Sequence, residues 1–126
     1  MKTLPLFAGS MAFVLAVIPF KSGYGQDPNS KGPGTEEAAA VEQANTQIDA
    51  VYKQLMNKLD AEGQKSLREA QRSWIKWRDN EALLIARLGG AVGGSALRVD
   101  SLTAQAKLIR QRTEVLREYL QHVGGN

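Results

Sequence analysis

The stretch from Leu67 to Glu81, LREAQRSWIKWRDNE, holds the densest set of side chains able to do chemistry. Trp74 and Trp77 stand three apart among Arg72, Lys76 and Arg78, a mixture that can stack on a base or a sugar. On a helix, both indoles share the arc of Leu67 and Leu84, so they read as core anchors. Asp79 and Glu81 suggest a carboxylate pair for cutting a glycosidic bond. Two residues apart on a helix, they point about 160° away from each other and cannot flank one bond. Glu42 with Asp49, and Glu114 with Glu118, lie one or two turns apart on outward faces and read as solvated charge. His122, the only histidine, sits in a terminal turn with no fixed neighbour. It reads as a surface residue rather than a general base.

Composition narrows the chemistry further. The chain has 126 residues, 43% hydrophobic and 23% charged, enough for one globular domain. It has no cysteine, which excludes disulfides, thiolate metal sites, a cysteine nucleophile and a lipid-anchored N-terminal cysteine. A single histidine removes His-pair metal sites and argues against a serine triad. The residues imply no cofactor, and no catalytic residue assembles from these spacings.

Residues 1–25 read as a secretory signal peptide. Lys2 is followed by the uncharged run Leu4–Phe20, then by the small residues Gly23 and Gly25 ahead of a cut before Gln26. The apolar run is short for a membrane span and is broken by Pro5 and Pro19, so no stable membrane insertion is expected after cleavage. Periplasm or exterior is the expected address. Removing residues 1–25 takes away Lys2 and Lys21 and no acid, leaving a nearly balanced chain. That balance argues against nucleic acid as a partner, since a basic stripe must neutralise several phosphates. Residues 26–34, QDPNSKGPG, read as a flexible linker.

The rest, residues 35–123, reads as one helical domain. The first helix runs from about Glu36 to Leu59 with Thr35 as N-cap. Val41, Ala44, Ile48, Val51, Tyr52, Leu55 and Leu59 form its apolar stripe. The second runs from about Ala61 to Leu88, capped by Asp60, with Leu67, Ala70, Trp74, Trp77, Leu84, Ile85 and Leu88 as its buried arc. Glu81 falls inside that arc and is expected to pair with Arg78 or an arginine of the third helix. The third runs from about Leu97 to Val123, with the heptad-like seam Leu102, Ala106, Ile109, Thr113, Leu116, Leu120 and Val123. No segment alternates like a strand. The expected fold class is all-α, an antiparallel three-helix bundle with long helices. That seam reads as an intramolecular core first and as a self-association surface second.

Between the second and third helices lies GGAVGGS, residues 89–95. No strand precedes it and no Lys-Ser/Thr follows, so it cradles no phosphate. Two readings stay open: a flexible turn, or a mobile recognition loop in which Gly90, Gly93, Gly94, Ser95 and Arg98 are candidate partner-binding residues.

From about Gln43 to Leu120 the sequence resembles the lysozyme inhibitor LprI-like N-terminal domain family. Leu67, Arg68, Ala70, Gln71, Trp74, Ile75, Arg78 and Asp79 resemble its Leu-Arg-x-Ala-Gln-x-x-Trp-Ile-x-x-Arg-Asp core. Ile48-Asp49-x-Val51-Tyr52 resembles its Leu-Asn-x-x-Tyr element, and Arg112-Thr113 with Leu116 its closing segment. The resemblance implies a small exported helical protein of the bacterial envelope, whose motif residues are mainly structural and whose partner is a protein such as lysozyme. Many members carry cysteines that align near Ala82 and Ala104, both alanine here. An envelope adaptor that docks on another protein or self-associates is the alternative. Fast inhibitors of basic enzymes commonly present negative charge. The first helix, with Glu36, Glu37, Glu42 and Asp49 against Lys53 and Lys58, is the acidic face available.

Overall fold

The structure is a computed structural model in which residues 31–125 are described. The expected signal peptide and the first part of the linker lie outside the described residues. Three helices follow in order: α1 (Thr35–Lys58), α2 (Ala61–Leu88) and α3 (Gly94–Gly124). Among the described residues there is no strand.

Local chemistry sets the helix ends. Asp60 caps α2 as expected, its carboxylate accepting from the Gly63 backbone N–H at 2.8 Å. Gln64 ties the turn back onto α1, its amide donating to the carbonyls of Met56 and Leu59 at 3.1 and 3.2 Å. Thr35 is not the N-cap of α1. Gly34 takes that position in the left-handed region, φ +88°, and the Thr35 hydroxyl turns back to donate to the Gly32 carbonyl. Gly34 is buried against Arg98, Val99 and Leu102, and its positive φ is the reason a glycine is favoured there.

Those contacts also set the topology. The start of α1 meets the start of α3, and Leu55 near the end of α1 shares a core cluster with Leu116. These two helices therefore run parallel. Between them α2 runs back, Gln71 meeting Arg112 and Ala82 sharing a cluster with Ala104 and Leu108. This is the expected up-down-up bundle. Its centre is α3, which packs against both other helices, whereas α1 and α2 touch each other little.

The main core joins Ala44, Ile48, Val51 and Leu55 of α1 to Leu67, Ile109 and Leu116. The α1 stripe and the α3 seam fall where periodicity puts them. The α2 arc does not. Leu67 is buried, but Trp77, Leu84, Ile85 and Leu88 are exposed, Leu88 to 77%. Gln71, Ala82 and Ala86 are buried in their place. Small residues let α2 lie close against α3, and the α3 side of that contact is a second stripe, Ala104 and Leu108.

Truncating Ile109 to Ala, fully buried between α1 and α3, is expected to cost about 2–5 kcal/mol. Leu88→Ala should change stability by no more than about 0.5 kcal/mol. Urea unfolding midpoints at unchanged slope measure both.

Candidate functional site

The motif residues converge on one layer of the bundle, and the side chains there are mostly polar. Four helical positions of α2 contribute: Gln71, Trp74, Arg78 and Asp79. At spacings of three and four residues the first three fall on adjacent turns of one side. From α3 comes Arg112, one turn beyond Leu108 on the stripe that faces α2. Its Nε donates to Oε1 of buried Gln71 at 3.2 Å. The half-buried Trp74 ring has two guanidinium groups over it, Arg78 at 5.4 Å and Arg112 at 5.9 Å from the ring centroid. Both cations are attracted to the indole π-system. Arg78 has a side chain only 12% exposed and is neutralised by Asp79 through contacts of 2.8 and 2.9 Å.

Leu67, Thr113 and Leu116 lie beneath this layer. Leu67 and Leu116 are in the main core, and the buried Thr113 hydroxyl donates to the Ile109 carbonyl at 2.7 Å. Tyr52 of α1 packs against the same core. Burial pushes its phenol above the ordinary range, while the charges of Arg68 and Arg72 pull in the opposite direction. Of the motif residues, Gln71 and Trp74 meet Arg112 across α2 and α3, and Tyr52, Leu67 and Leu116 belong to or pack on the main core that joins the three helices. The one carboxylate of the layer, Asp79, is engaged by Arg78.

Glu81 departs from expectation. Arg78 turns to Asp79 instead, and Glu81, half-buried, forms no ion pair among the described residues. The arc that placed it at the centre of a buried face is rotated, so Glu81 lies beside the buried face and can be hydrated there. His122 and the carboxylates Glu42, Glu114 and Glu118 are exposed. Among the described residues no three His, Asp or Glu side chains gather as metal ligands would.

The glycine stretch is shorter as a link than its composition suggests. Gly94, Ser95 and Arg98 belong to α3, leaving Gly89–Gly93 between the helices. Gly90, at φ +94°, lets the chain close a two-bond helix cap. Its own N–H meets the Arg87 carbonyl and that of Ala91 meets Ala86, at 3.0 and 3.2 Å. Ala91 is buried, while Gly90, Gly93, Gly94, Ser95 and Arg98 are exposed at the same end of the bundle as Val92.

Sequence reasoning missed Trp77. It is 48% exposed and belongs to a line of apolar side chains on the outside of α2. The signal that could have found it is the alanine pair Ala82 and Ala86, which marks a different side of the helix as the one in close contact.

The chain matches the family model for lysozyme inhibitor LprI over residues 34–116, from the Gly34 cap of α1 to Leu116 of α3. No curated protein and no solved structure matches it. Ala82 and Ala104 share one buried cluster with Leu108.

One outcome tests this layer and a second tests the partly buried Asp49 of α1. Gln71→Ala leaves the Arg112 Nε without its partner in a half-buried place and should cost about 1–3 kcal/mol in urea unfolding. Asp49 is the second probe: burial raises its pKa above 3.8 despite the nearby Lys53. A carboxyl raised in the folded state contributes stability below its unfolded pKa and loses it as pH rises through the folded one. Asp49→Asn should therefore raise the melting temperature at pH 7, and the gain should vanish near pH 3.

Proposed function

The chain belongs to the lysozyme inhibitor LprI family, and on that premise we propose that it is an exported, non-catalytic binding protein of the bacterial envelope that docks on a lysozyme-type muramidase and inhibits it. The observation that carries this reading is the family match, which spans all three helices. The site supports it, since the distinctive residues are occupied in fastening helices and leave surfaces as the working part. The composition of residues 1–25, which reads as a signal peptide, supports export, and no helix among the described residues is long and apolar enough to cross a membrane. On this reading the partner meets the protein at exposed surfaces: the tip carrying Gly90, Gly93, Gly94, Ser95 and Arg98, and the flanks of α1 or α2.

The exposed line on α2 favours one further reading, an adaptor that docks on another envelope protein or on itself. A mass that rises with concentration would support self-association.

The test is a titration of the purified protein against chicken-type, goose-type and phage-type lysozymes, following clearing of a cell-wall suspension. Saturable loss of lysis with at least one of them is expected. Full lysis at excess protein with all three removes the inhibitor reading.

A further inference from the structure

We infer that Asn45 and Asp49 of α1 form a proton-operated contact: on taking up a proton, the Asp49 carboxyl donates its O–H to the buried Oδ1 of Asn45, which no group among the described residues otherwise satisfies. The inference is independent of the inhibitor reading and concerns how the fold answers acid.

Asn45 Oδ1 is shut away from water and accepts no hydrogen bond from the described residues. A buried acceptor left alone is a cost to the fold, so the donor that can reach it matters. On the helix surface the neighbours of Asn45 three and four residues away are Val41, Glu42, Ile48 and Asp49. Val41 and Ile48 carry no polar group, and Glu42 is exposed. Asp49 is half-buried, and helical side chains lean toward the N-terminus, which carries its carboxyl back over the turn that holds Asn45. A carboxylate only accepts, whereas a protonated carboxyl has one O–H to give. At neutral pH Asp49 offers Oδ1 only a second acceptor, and one proton turns it into the missing donor.

The surroundings favour that proton. On α1, Lys53 one turn on holds Asp49 toward its ionised form, yet burial outweighs it and the carboxyl is raised from its ordinary value. On α2, Arg68 and Arg72 act on Tyr52 in the next turn of α1. The α3 side chains in the core shared with α1, Ile109 and Leu116, are uncharged, and the Thr113 hydroxyl already donates to the Ile109 carbonyl. The consequence is a response opposite to that of the surface charges. As pH falls, the ion pairs Lys31–Glu36, Arg78–Asp79 and Arg117–Glu114 lose the charge of their carboxylates. The contact between Asn45 and Asp49 forms over the same range, so α1 gains a hydrogen bond where other sites lose one.

The experiment follows the NMR signal of the Asp49 side-chain carboxyl through an acid titration of the purified protein, unaltered and as Asn45→Leu. Leucine keeps the volume of the side chain and removes the acceptor. The midpoint should lie above 3.8 in the unaltered protein. In Asn45→Leu it should fall by about half to one pH unit, the equivalent of one neutral hydrogen bond. The amide protons of the Asn45 side chain should shift with the same midpoint as Asp49. Burial acting alone would leave the midpoint of Asn45→Leu in place or lift it, and that result overturns the contact. An unaltered midpoint below 3.8 overturns it too, since the Asn45 amide would then be donating to the ionised carboxylate. So do Asn45 signals that ignore the Asp49 titration, a readout that decides the matter in the unaltered protein if the leucine variant does not fold.

Discussion

The bundle depends on α3 having two contact faces at once. Ala106, Ile109, Thr113 and Leu116 are buried on one line, while Ala104 and Leu108 are buried on another about a third of a turn away. Because α1 and α2 touch each other little, neither can be held in place without α3. A three-helix domain in which each pair shares a seam distributes its core among three interfaces. Here two interfaces carry nearly all of it, so a change on α3 affects both neighbours, whereas a change on α1 or α2 affects one. The parallel pair α1 and α3 is oily and built from large side chains, as a small core without disulfides requires.

The pair α2 and α3 is built differently. Its apolar part is small, Ala82 against Ala104 and Leu108, and its polar part is the layer of Gln71, Trp74, Arg78 and Arg112. Alanines contribute little transfer free energy each but allow the helix axes to approach. Directional contacts then supply what bulk burial does not. An arginine that donates to a buried amide and lies over an indole can do so in one rotational setting of the helix only. Lysine in its place would keep the charge and lose the planar fork that makes both contacts.

Much of this was legible in the residues themselves. The three helices, the Asp60 cap, the α1 stripe, the α3 seam and the up-down-up order follow from periodicity, capping chemistry and short connections. The failures on α2 share one cause. Hydrophobic periodicity weights a position by the size and apolarity of its side chain, so Leu84 and Leu88 outvote Ala82 and Ala86. Where two helices lie close, space decides instead, and alanine, weak on any hydropathy scale, marks the contact. On α3 the second stripe is short, Ala104 and Leu108, and the longer seam through Ile109 and Leu116 outvotes it. Thr35 misled in another way: a good capping side chain was present, but the left-handed turn at Gly34 sets the start of the helix.

These points bear on why the apolar line of α2 is outside rather than inside. The arc drawn from periodicity and the arc actually buried differ by about a quarter turn of the helix. Both settings are available to the same sequence: one buries Trp77, Leu84 and Leu88, the other buries Gln71, Ala82 and Ala86. On transfer free energy alone the first setting wins, since a buried leucine or tryptophan outweighs an alanine by more than 1 kcal/mol. The first setting, however, carries Gln71 away from Arg112, removes Arg112 from the Trp74 ring and forces wide side chains between axes that alanines hold close. The polar layer therefore acts as a selector of rotation, in the way a single buried polar residue selects register in a coiled coil. On this account the motif shared with the family and the exposed line outside it are linked. By fixing which side of α2 meets α3, Gln71, Trp74, Arg78 and Arg112 fix which side stays outside.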